Sequence, residues 1–184
     1  MKRATLLLLL AAAPASAHSG TGLPGGFAAG LLHPLTGPDH LLAMVAVGLW
    51  GAFLGRPLIY LLPVIFPAMM VAGAELGMLD VPMPPVELGI AVSVLTLGVA
   101  IALGWKAPVW LACPIVAAFA LFHGYAHGRE LPSAADPFGY SAGFVLVTGG
   151  LHVFGILIGT LKMRSFGVGI AGAGLWFFCR AVAS

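Results

Sequence analysis

The chain has 184 residues, of which 60% are hydrophobic and only 8% charged, with eight Lys and Arg against six Asp and Glu. Soluble domains carry roughly 25% charged residues, so a water-soluble fold of this size would lack the polar surface it needs. A mean hydropathy of +1.06 and 26 glycines instead suit helices packed closely in lipid. The two cysteines, Cys113 and Cys179, lie in apolar segments without a CxxC spacing and imply no disulfide framework.

At the start of the chain, Lys2 and Arg3 precede a short apolar run, Leu6–Ala13, and a small-x-small site at Ala15-Ser16-Ala17. These are the three parts of a secretory signal peptide. Residues 1–17 are read as a cleaved leader and residues 18–184 as a single transmembrane helical domain. The mature chain then begins at His18 on the far side of the membrane, where a free amine and an imidazole on one residue can chelate a metal. Loss of the leader takes the formal net charge from +2 to 0, six basic residues against six acidic. No basic patch remains to engage nucleic acid.

Leu23–Leu32 reads as a short apolar helix ending in a break at His33–Pro38, where Pro34, Gly37 and Pro38 interrupt helical pairing. Spans of about 20 apolar residues follow at Pro38–Leu54, Leu58–Met78, Val86–Gly104, Pro108–His127, Phe138–Leu161 and Phe166–Ala183. The expected fold is all-α, a polytopic membrane bundle of about six transmembrane helices with a broken first helical segment. With His18 outside, Arg56, Lys106, Lys162 and Arg164 face the cytoplasm, as the positive-inside rule requires. Asp80, Glu87, Glu130, Asp136, Arg129 and Arg180 fall at the opposite face. Trp50, Trp105, Trp110 and Trp176 near span ends read as interface anchors. The pairs Gly51/Gly55, Gly73/Gly77 and Gly155/Gly159 permit close helix approach.

Five of the six histidines, His18, His33, His40, His123 and His127, fall at or near the outer surface; His152 lies deeper. In His33-Pro-Leu-Thr-Gly-Pro-Asp39-His40, two imidazoles and a carboxylate surround a kink. Asp39 also suits a first helical turn, where the dipole favours a negative side chain. His123 and His127 share one helix face at i, i+4, a spacing that chelates divalent metals. Glu130 continues that face at i+7, with a surface pair to Arg129 as the alternative. His152 is a candidate inner station. Glu75, near the outer end of the second span, can balance a cation's charge, since an intramembrane carboxylate is expensive and functional. Glu87 reads as a charge at a helix start.

The run HPLTGPDH at His33–His40, the run HGYAHGRE at His123–Glu130 and the Gly-Gly-Leu-His ending at His152 resemble the HupE/UreJ family of bacterial membrane proteins, over essentially the whole chain. The resemblance implies secondary permeation of Ni²⁺, with Co²⁺ as the other substrate, across the bacterial inner membrane. It points to His33, Asp39, His40, His123 and His127 as the site, with no permanent cofactor and no catalysis. The expected partners are the ion and membrane lipids, with a homo-oligomer left open. The rival from another class is a membrane haem-binding or redox subunit, because intramembrane histidines also ligate haem. An intramembrane hydrolase is disfavoured because position 124 is Gly where an HExxH motif needs Glu. A structural or chaperone-like subunit would move no metal by itself.

Overall fold

In a bilayer every backbone N–H and C=O must be paired within the chain, so apolar runs of this length become helices. The computed structural model describes residues 26–131, 136–159 and 163–183; the leader and His18 lie outside them. Among the described residues are seven helices and no strand: α1 (Gly26–Thr36), α2 (Pro38–Leu54), α3 (Leu58–Met78), α4 (Val86–Leu103), α5 (Val109–Arg129), α6 (Pro137–Gly159) and α7 (Met163–Ala183). Helices α3 to α7 are each long and apolar enough to cross a membrane, and α1 with α2 forms a pair bent by 85°. The chain is therefore a multi-pass membrane protein.

The break lies at Gly37 alone, not across His33–Pro38. Helix α1 continues through Pro34, which is buried, and the Thr36 hydroxyl donates to the His33 carbonyl at 2.7 Å to close its last turn. Gly37, at φ −95° and ψ 107°, is extended, as a residue before proline is biased to be. Pro38 opens α2, where its missing N–H costs nothing.

Glycines set which helices pair and in which direction. A β-carbon at Gly48 of α2 would strike the carbonyl of His152, and one at Gly155 of α6 the carbonyl of Val45, so α2 and α6 run parallel in contact. Gly124 and Gly128 of α5 meet the carbonyls of Met70 and Ala74, while Gly73 and Gly77 of α3 meet those of Leu121 and Tyr125. These helices also run parallel. Gly98 abuts Ala171, and Gly167 abuts Ala102, so α4 and α7 are antiparallel. That pattern is the one an alternating six-span chain produces for its first and fifth, second and fourth, and third and sixth crossings. Gly55 plays no packing part; at φ +74° it turns the chain.

Trp105, Trp110 and Trp176 are exposed near helix ends, but Trp50 is not an interface anchor. It is 1% exposed, and its indole N–H donates to the Trp105 carbonyl at 3.2 Å, so it closes the core at that end. The Lys106 ammonium lies over the Phe53 ring and Arg164 lies beside Gly104, gathering basic residues at this end. At the other end Arg129 pairs with Asp80, and Asp136 accepts the backbone N–H of Gly139 at 2.8 Å to cap α6.

Candidate metal centre

Each imidazole is positioned by the helix that carries it. His33 closes α1 and His40 opens α2, and the sharp bend at Gly37 lets both turn toward α5. His123 and His127 stand one turn apart on α5, which its glycines hold hard against α3. The four rings form one chain of edge contacts. Ring centroids are 4.7 Å apart for His33 and His127, 4.7 Å for His127 and His40, and 5.0 Å for His40 and His123. His40, His123 and His127 are buried.

Hydrogen bonds on the outer side of two rings fix which nitrogen carries the proton. His40 Nδ1 lies 2.8 Å from Asp39 Oδ1 and His123 Nδ1 lies 2.9 Å from the Phe119 carbonyl. Both oxygens only accept, so both Nδ1 atoms donate and each Nε2 keeps its lone pair. Nε2 of His40, Nε2 of His123 and both nitrogens of His127 are buried without a hydrogen-bond partner. Each such orphan costs about 1–3 kcal/mol, and a cation shared among the lone pairs removes that cost.

At the rim, His33 Nε2 meets Glu130 Oε2 at 3.0 Å. His33, His127 and Glu130 each offer a ligand atom, all within 4.8 Å of one another. A crevice lined by Met70, Met78, His127, Leu131, Tyr140 and Phe144 leads to this group. The buried Tyr140 hydroxyl has no partner there, and its ring centroid is 5.9 Å from His33.

Of the residues singled out in the sequence, the structure gathers His33, His40, His123 and His127. Asp39 stands behind His40, with Oδ1 accepting both its backbone N–H and its Nδ1–H at 2.8 Å. His152 is fully buried, and both its nitrogens lack partners. Phe66 touches both it and the cluster, with ring centroids 5.3 Å from His152 and 5.5 Å from His123. Glu75 lies on an exposed face of α3, and among the described residues no hydrogen bond or ring contact joins it to the imidazoles. The carboxylate in the cluster is Glu130 instead. The surface pair between Arg129 and Glu130 does not form, because Arg129 engages Asp80 and Glu130 engages His33. The i+7 spacing from His123 signalled Glu130. No comparable signal singled out Tyr140, or Phe66 among eleven phenylalanines.

A family model described as HupE / UreJ protein matches residues 6–179. Protein HupE of Rhizobium leguminosarum bv. viciae is 42% identical over 168 residues, covering 91% of this chain and 88% of its own length. No solved structure matches the chain. The chain belongs to the HupE/UreJ family.

Proposed function

We propose that the protein is a secondary permease carrying a divalent transition metal ion, Ni²⁺ first and Co²⁺ next, across the bacterial inner membrane from a site facing the periplasm. Membership of a family associated with nickel and cobalt transport supports metal transport. The observation that carries the reading is the convergence of four imidazoles from α1, α2 and α5, with unpartnered nitrogens buried among them. Imidazole with carboxylate suits Ni²⁺ and Co²⁺. Nothing in that donor set bars Cu²⁺ or Zn²⁺, so preference rests on geometry and supply.

The ion arrives hydrated and exchanges part of its water shell at His33, His127 and Glu130, where the carboxylate offsets its charge. It passes to His40 and His123, whose Nδ1 protons are anchored on Asp39 and on the Phe119 carbonyl, so their Nε2 lone pairs face it. It then moves inward toward His152. Each station binds weakly enough to release, as conduction requires. The rings meet in T-shaped contacts with centroids 4.7 to 5.0 Å apart, too close for a planar macrocycle to enter between them, which favours an ion over haem.

The test is uptake by the purified protein in proteoliposomes, with Ni²⁺, Co²⁺, Cu²⁺ and Zn²⁺ offered in turn. Ni²⁺ accumulates in the wild type, and His40→Ala reduces uptake to the level of empty vesicles while the protein remains in the membrane. Wild-type uptake by His40→Ala would refute the site, and a Soret band in the purified protein would favour the haem alternative.

A further inference from the structure

The mechanism leaves one fully buried aromatic unexplained. Phe66, in the middle of α3, is 0% exposed. Its ring lies edge-on to His123 of α5 and edge-on to His152 of α6, at interplanar angles of 61° and 88°. It touches two imidazoles whose nitrogens have no hydrogen-bond partner, Nε2 of His123 and both Nδ1 and Nε2 of His152. An ion leaving His123 for His152 meets the benzene ring, which offers it no ligand.

The helix around that ring is weakened. Pro63 and Pro67 both lie inside α3, three residues before Phe66 and one after it. Neither proline has an N–H, so the carbonyls of Ile59 and Pro63 lose their helical donors. Prolines in membrane helices allow bending because neighbouring groups take over the freed backbone atoms. The backbone of Pro63 interacts with the His152 imidazole, whose nitrogens have no full hydrogen bond. An oxygen donor therefore stands beside the inner imidazole. The Thr148 hydroxyl of α6 donates to the Met44 sulfur of α2 at 3.4 Å, which ties those two helices together.

We propose that Phe66 is a gate between the outer imidazole site and a second, inner cation station formed by His152 and the Pro63 carbonyl, opened by bending of α3 at its two prolines. The proposal rests on the transport reading and adds a prediction that reading does not make: Phe66 controls the rate of passage and not the affinity of the outer site.

The experiment measures two quantities on full-length protein: equilibrium Ni²⁺ binding in detergent and Ni²⁺ uptake into proteoliposomes, for wild type, Phe66→Leu, Phe66→Ala and Phe66→Trp. With a gate at this position, binding is unchanged throughout. Uptake rises severalfold in Phe66→Leu and Phe66→Ala, and Phe66→Trp binds Ni²⁺ but falls to the level of empty vesicles. Unchanged uptake in variants that bind Ni²⁺ normally would overturn the gate, as would loss of binding in step with uptake. Phe66→Leu keeps an apolar side chain while removing the ring, and decides the question if the other two variants fail to insert. A wild type that neither binds nor transports Ni²⁺ would refute the permease reading, a result distinct from failure of the gate alone.

Discussion

Asp39 shows how one carboxylate can matter to an ion that it does not itself face. Its Oδ1 holds two N–H groups of the next residue, which pins the His40 ring and keeps the proton on Nδ1. Partners behind a ligating histidine typically account for 10–100-fold in metal affinity. Asp39→Asn is expected to weaken Ni²⁺ binding by about that factor while leaving four imidazoles in place, as measured by titration of the solubilised protein; an unchanged affinity would mean that the carboxylate serves only the helix dipole. Uptake is also expected to fall as the outside becomes acidic, because a protonated ring has no lone pair to give. The sign is loss in acid and recovery toward neutrality, and a flat profile down to the pH at which the protein unfolds would contradict imidazole ligation. At this scale the sequence was informative where spacing carries meaning. His123 and His127 announce one helix face, and Glu130 follows from the same periodicity. Glu75 drew attention by its cost in lipid, yet its position on α3 directs it away from α5, and hydropathy contains no information about rotation around a helix axis.

Element boundaries were legible because a membrane sets the length of an apolar run. Two of the expected spans, Pro38–Leu54 and Leu58–Met78, coincide with α2 and α3, and the others shift by a few residues at their ends. The break before α2 was narrower than its prolines suggested, because Pro34 lies within α1, where only one carbonyl is freed, and Gly37 takes the whole bend. Helix partners were not legible, since a glycine marks close approach without naming what approaches. The contacts now distinguish one glycine from another. Gly48→Ala is expected to push α2 off the His152 backbone, and overpacking of this kind costs about 1–3 kcal/mol. It should lower the melting temperature in detergent and reduce uptake together. Gly169→Ala, with no atom within 4 Å of its added carbon, should change neither. Equal behaviour of the two variants would mean that the α2–α6 contact is not a tight one.

For the molecule as a whole, the pairing of α3 with α5, α4 with α7, and α1 and α2 with α6 joins the first half of the chain to the second. Within the first half, α2 touches α3 and α4. Among the described residues α5, α6 and α7 pack chiefly on helices of the first half, and His127 of α5 meets Phe144 of α6 at a ring centroid distance of 4.2 Å, so the second half has little interior of its own. Membrane helices insert before they associate. During synthesis the early helices are therefore expected to stay loosely associated until the late ones insert between and around them, with α7 completing the assembly. Residues 1–106 and 107–184 produced as separate polypeptides should each enter the membrane yet remain protease-sensitive, and recover protection and nickel uptake only when made in the same cell. Protection of the second fragment by itself would show that it folds without its counterpart. A ribosome stalled before the final helix thus leaves behind a membrane-bound but unassembled chain, exposed to quality-control proteases for as long as its last partner is missing.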